Sequence, residues 1–352
     1  MKDRNEKIMF KACLFTVSLS AVMLLFSVIL RGYEREARAQ AIVEASERSA
    51  ALSSEAAGND EAKTSPDVAG GLLLTLKQTD SMYVCVPLPE NVTSSGITAE
   101  NHYMDGQLWL RMPNTDFLFY SGKSITGDIS KVRQAAAFQD SNGTIVRLAL
   151  DNIYEYDLIS ENQNLYIQLV APREKYDRVI VVDPAAGDGG DATLAVAEKL
   201  SGLVGNSKIR IYQTRMTGES CPQEKVAALA NAVRADMLIR ISVENAEDSG
   251  EYGTFARYSE DYYIPGFSGA DLADTLLRNV ATQLRTETRG LEQARKEDIA
   301  IRKARVPAAE IVLGYISNAQ ERKLLSRDDY REKAARGIYE AVNAACEIKG
   351  KK

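Results

Sequence analysis

The chain has 352 residues, enough for about two domains at roughly 150 residues each. Hydrophobic residues make up 45% and charged residues 26%, which excludes disorder throughout. A net charge of −6 without a basic stripe argues against nucleic-acid binding, four cysteines exclude a disulfide scaffold, and the only histidine, His102, excludes any mechanism needing two.

Residues 12–30 read ACLFTVSLSAVMLLFSVIL, without a charge. As a helix they would span about 28 Å, close to the hydrocarbon core of a bilayer. The run is long for a signal-peptide core of about 7–15 residues, and no A-x-A-like cleavage site follows. The next residues, RGYERE, read as an interfacial stop. The expectation is an uncleaved transmembrane signal anchor, with a buried soluble helix as the alternative. Lys2, Arg4, Lys7 and Lys11 precede the span and Arg31, Arg35 and Arg38 follow it, a slight bias. The short tail, residues 1–11, favours a cytoplasmic N-terminus, a single pass through the cell membrane and extracytoplasmic domains beyond it. Residues 31–66 form a stalk and linker. Helix-forming Ala, Glu and Arg dominate to about residue 57, and GNDEAKTSP at 58–66 breaks the helix. No internal repeat is visible.

Residues 67–172 read as strands. QLWLRM (107–112), TIVRLAL (144–150) and NLYIQLV (164–170) alternate with a period of two. Asn142-Gly143 is the expected hairpin turn. Short strands between turn residues predict a small antiparallel β-sandwich. Trp109, Tyr154 and Tyr156 are a candidate ligand platform, with sheet packing as the plainer reading. His102 has no Cys or His at ligand spacing and reads as a surface or core-edge residue.

Residues 173–352 alternate strand and helix. Strands are expected at 178–183, 209–212, 237–243, 254–258 and 310–314, and helices at 193–204, 223–234, 270–284 and 329–348. The implied fold class is α/β, a mostly parallel sheet flanked by helices. In such sheets the functional crevice lies beyond the carboxyl ends of the strands.

The strand ends carry the words VIVVDP (179–184), TR (214–215), AN (230–231), AD (235–236), ISVENA (241–246) and PAAEIVLGYISN (307–318). In order and spacing this set resembles the zinc-dependent N-acetylmuramoyl-L-alanine amidases of the Amidase_3 type, over about residues 176–347. The resemblance implies a bacterial envelope protein acting on the bond between muramic acid and the peptide of peptidoglycan. In that family two histidines and a glutamate hold zinc, and a second glutamate is the base. The first histidine belongs to a D-P-G-H-G-G word, here DPAAGD, which puts Ala186 in its place. The ligand glutamate falls at Gly189. The second histidine, of an I-S-I-H-x-N-A word, is replaced by Glu244 with one residue deleted. The basic glutamate of V-E-L-G-F becomes Val312. A catalytic zinc takes about three protein ligands and an open water position, and Ala, Gly and Val donate no electron pair. The resemblance therefore implies a degenerate site with no catalytic residue and no metal.

Another set of carboxylates lies near the former pocket: Asp188, Asp191, Glu244 and Glu310. Clustered, they would suit a hard cation rather than zinc; otherwise they are solvated charges at loop edges. Glu310 lies on a strand expected to be buried, where Arg240 or Arg215 would pair with it. Cys13 lies in the apolar span; Cys85, Cys221 and Cys346 are expected as buried free thiols. Residues 106–170 are similar in rhythm and position to the AMIN domain, which targets such enzymes to peptidoglycan or the division site.

Three functions follow as expectations. The first is a membrane-anchored pseudoenzyme that binds peptidoglycan or a muropeptide, or regulates an envelope protein partner, with no cofactor and no nucleic-acid partner. The second is a working amidase with a relocated metal site, the only case that calls for zinc. The third is a non-enzymatic envelope scaffold.

Overall fold

Alternating apolar and polar residues build the first domain, and continuous apolar runs build the second. A computed structural model describes residues 71–350 except 91, 188, 206, 207 and 263. The expected membrane anchor at 12–30, the tail at 1–11, the stalk and linker at 31–66, Cys13 and Asp188 lie outside the described residues. Among the described residues no helix is long and apolar enough to cross a membrane.

Nine strands form the first domain: β1 Leu72–Gln78, β2 Val84–Pro87, β3 Thr98–His102, β4 Gln107–Pro113, β5 Ser124–Gly127, β6 Val132–Asp140, β7 Gly143–Leu150, β8 Glu155–Glu161 and β9 Asn164–Val170. They make one sheet in the order β3-β4-β7-β6-β1-β5-β2-β9-β8. β1 joins its two arms. Leu72, Leu73 and Leu74 pair antiparallel with β6, whereas Thr75 onward pairs parallel with β5. Both arms turn their alternate residues onto one core. Leu108, Leu110 and Met112 of β4 meet Ile125 of β5 and Leu165, Ile167 and Leu169 of β9 there. Each such fully buried side chain contributes about 1.5–3 kcal/mol.

The β6–β7 hairpin turns one residue earlier than Asn142-Gly143. Asp140 pairs with Gly143, so Ser141 and Asn142 are the turn and Gly143 opens β7. Gly143 has φ +149°, and a Cβ there would sit 2.2 Å from the Met112 carbonyl. Its glycine is needed for close approach to β4 rather than for the turn.

A single helical turn, α1 Pro172–Lys175, leads into the second domain. There follow β10 Arg178–Pro184, α2 Gly190–Val204, β11 Ile209–Gln213, α3 Gln223–Ala232, β12 Met237–Glu244, β13 Thr254–Tyr258, α4 Gly269–Leu284, β14 Thr288–Gln293, α5 Ile299–Lys303, β15 Ala308–Tyr315, α6 Ala319–Leu325 and α7 Asp328–Gly350. The sheet order is β11-β10-β12-β15-β13-β14. All neighbours are parallel except β13 and β15. Ile180, Val182, Ile239, Ile241, Ile311 and Leu313 point to a core shared with α2, α4 and α7. On the other face Val179, Val181 and Leu238 pack against α3 and α5. Beyond that apolar patch the second face carries the charged residues that define the site.

Candidate functional site

Side chains repeat every two residues along a strand. Two positions beyond Val181, Leu238 and Ala308 on the α3 face stand Asp183, Arg240 and Glu310. Register makes them direct neighbours: Asp183 faces Arg240, Arg240 faces Glu310, Glu310 faces Arg257, and Arg257 faces Glu292. Five adjacent strands thus present a row of alternating charge. Arg240 Nη1 donates to Asp183 Oδ2, which is 2% exposed, and its Nε lies 3.4 Å from Glu310 Oε1. Arg257 Nη1 donates to Glu310 Oε2 at 3.1 Å, and its Nε to Glu292 Oε2 at 3.2 Å. The Glu310 and Arg257 side chains are 3% and 5% exposed. Removing either partner of such a pair leaves an uncompensated buried charge. Burial opposes the charge on Arg257, but Glu310 and Glu244 outweigh it and hold its pKa above the ordinary value.

The crevice end of this row contains the positions where the family resemblance places catalytic groups. Glu244 follows a bulge in β12, where the pairing with β15 shifts between Ser242 and Glu244. Its Oε1 is 2.7 Å from Arg257 Nη1 and 3.3 Å from Arg295 Nη1. Val312 is fully buried in a small cluster with Phe255 and Tyr315. Gly189 precedes α2, and a Cβ there would lie 2.0 Å from Val243 Cγ2, so no side chain fits without rearrangement. Ala186 is exposed. The loop that carries it is clamped by Arg215, whose Nε donates to the Pro184 carbonyl at 2.6 Å and whose Nη2 donates to the Ala185 carbonyl at 3.0 Å.

Zinc does not fit this arrangement. Three of the four positions bear no donor, and the fourth, Glu244, faces two guanidinium groups that a dication would meet at close range. Among the described residues Asp191, Glu244 and Glu310 of the alternative carboxylate cluster do not come together either. Asp191 is exposed at the start of α2, while Glu310 is buried in β15, and Glu310 and Glu244 share Arg257 rather than an open space. Among the described residues no group of three His, Cys, Asp or Glu is placed to hold a metal. Arg240 is the partner anticipated for Glu310, whereas Arg215 serves the loop carbonyls. Arg257, Arg295 and Glu292 are the site residues that sequence reasoning missed. The signal was available in TFARY: a charge in a short central strand requires an opposite charge from its neighbours.

In the first domain the aromatic platform does not assemble. Tyr154 and Tyr156 pack against the β core, and Tyr156 Oη donates to the Ala99 carbonyl at 2.9 Å. Trp109 lies on the outer face of β4, with the half-buried His102 ring stacked 4.1 Å away. His102 Nε2 is 3.1 Å from Glu100 Oε2. Cys85 and Cys221 are free thiols, and they and Cys346 are half-buried rather than buried. Burial pushes the thiol pKa of Cys85 and of Cys221 upward, which favours the protonated thiol over the nucleophilic thiolate.

Residues 185–344 match the family model described as N-acetylmuramoyl-L-alanine amidase. N-acetylmuramoyl-L-alanine amidase CwlM of Mycobacterium tuberculosis (strain ATCC 25618 / H37Rv) is 27% identical over 169 residues, covering 47% of this chain and 41% of CwlM. The protein YqiI of Bacillus subtilis (strain 168) is 25% identical over 163 residues, covering 46% of this chain and 77% of YqiI. Among solved structures, the catalytic domain of CwlV, an N-acetylmuramoyl-L-alanine amidase from Bacillus (Paenibacillus) polymyxa var. colistinus, superposes with a TM-score of 0.44 at 20% identity. That match covers 49% of this chain and 99% of CwlV's. The chain thus spans less than half the length of CwlM. Its second domain, a helix-flanked α/β sheet matched over residues 185–344, resembles the Amidase_3-type N-acetylmuramoyl-L-alanine amidases.

Proposed function

We propose that this chain is a membrane-anchored protein of the bacterial cell envelope that keeps the amidase fold and carries out no hydrolysis. It binds peptidoglycan or regulates an enzyme of the cell wall, with its two domains outside the membrane and the apolar run at 12–30 as the anchor. The observation that carries this reading is the state of Glu244. It is the one carboxylate at a position where the family resemblance puts a metal ligand, and Arg257 and Arg295 occupy it. Amide hydrolysis needs an activated water and a base to take its proton. Ala186, Gly189 and Val312 supply neither. The match to the amidase family model and the relationship to CwlM support peptidoglycan as the ligand class.

Incubating the full-length chain with purified peptidoglycan, then measuring sedimented protein and released peptide, tests both halves. Co-sedimentation without soluble peptide is the expected result. Metal-dependent release of peptide would sink the inert reading. A chain that stays in the supernatant and crosslinks instead to another envelope protein would favour the scaffold.

A further inference from the structure

The outer face of the β3-β4-β7-β6-β1 arm carries a cation with no counter-charge among the described residues. Arg147 of β7 faces Trp109 of β4 across the strand pair and Ala136 of β6 on the other side. Its guanidinium carbon lies 4.1 Å from the Trp109 ring centroid and 4.2 Å from that of Phe138. The two rings hold it between them. Its neighbour Arg111, 5.4 Å from the same Trp109 ring, is neutralised by Glu100 at 2.6 Å and Asp140 at 2.9 Å. Among the described residues Arg147 has no carboxylate partner, and its buried Nε has no hydrogen-bond partner. Burial, together with the charge of Arg111, pushes its pKa below the ordinary arginine value, although it stays protonated at neutral pH. The strand beyond Ala136 presents Leu73, 59% exposed.

We propose that Arg147 is the anchor of a carboxylate-binding site on this face, for an acidic peptide ligand with apolar side chains. A guanidinium between two rings offers its in-plane edge, and a carboxylate puts both oxygens in that plane. A phosphate can take the same fork bidentately, so the choice of a peptide carboxylate rests on the apolar Leu73 beside it. Trp109 is not a sugar platform, because His102 flanks it toward β3 and Arg147 toward β7. Leu73 gives the ligand an apolar contact beside the anchor. The site stands independently of the reading of the second domain.

Trp109 is the only tryptophan of the chain, so intrinsic fluorescence reports this face directly. The full-length chain is titrated with N-acetyl-alanyl-alanine as the free acid, with its carboxamide and with inorganic phosphate. Saturable quenching or enhancement by the free acid alone is expected. Arg147→Met keeps the stacked bulk and should weaken binding by about tenfold or more, as expected when a charge-assisted hydrogen-bond pair is lost. Arg147→Lys, which keeps the charge without the planar fork, should fall between. Equal response to acid and amide, a response to phosphate as strong as to the acid, or no saturable response overturns the proposal. The comparison of acid with amide uses the unaltered chain and holds even if a variant misfolds.

Discussion

Arg257 reaches three carboxylates from one side chain: Glu310, Glu244 and Glu292. A guanidinium has five donors in a fixed fork, which is why one arginine can serve several acceptors. Glu100 in the first domain is the smaller counterpart. The hydrogen bond from Arg111 holds its carboxyl below the usual glutamate range, and His102 lowers it further. The sign follows from that direction. A depressed folded-state pKa stabilises the fold above the unfolded value, and the contribution is lost as pH falls through the folded one. The Glu100–Arg111–His102 group should therefore hold until below the ordinary glutamate pKa of about 4.3. Acid titration followed by the NMR signal of the Glu100 side-chain carboxyl checks this directly. A midpoint above the ordinary value would contradict it.

At the scale of elements, periodicity made most of the fold legible. The strands at 107–112, 144–150 and 164–170 alternate cleanly and sit within a residue of β4, β7 and β9. The helix expected at 270–284 carries Leu272, Leu276, Val280 and Leu284 in line, and α4 buries all four. β14 was not legible because it is an edge strand with almost no buried residue; its TRGLEQ has no apolar period. α5 and α6 are too short, at five and seven residues, to show one. Within the candidate site, residue types were legible and their partners were not. Ala186, Gly189 and Val312 could be read as donorless from their side chains. What Arg240 and Arg257 neutralise depends on cross-strand register, which no local pattern encodes. The row makes a measurable claim about β12, β15 and β13. Arg257→Met should cost about 3–5 kcal/mol in urea unfolding, because Glu310 is left buried beside half its charge. Replacing Glu310 and Arg257 together by Leu and Met should recover most of that loss. A double variant as unstable as the two single losses added would show that the pair is not coupled.

At the scale of the molecule, one buried carboxylate ties the β domain to the α/β domain. Glu155 of β8 accepts from Tyr212 Oη at 2.6 Å and Arg210 Nε at 2.8 Å, both from β11. Tyr103, in the β3–β4 turn, donates to the Gln213 carbonyl at 2.7 Å. Glu155→Ala leaves Arg210 and Tyr212 without their acceptor and should cost about 2–3 kcal/mol. Calorimetry of the unaltered chain should give one transition for the two domains and the variant two; an unchanged single transition would mean that the carboxylate does not couple them. The larger claim, part of the proposed function, is that arginine side chains hold Glu244, the position where the family resemblance would put a metal ligand. The most direct measurement is a zinc titration of the purified full-length chain in competition with a chromogenic chelator. With Glu244 held by Arg257 and Arg295, the chain should leave the zinc with the chelator at every ratio. Uptake of one equivalent, abolished by Glu244→Ala, would contradict the account.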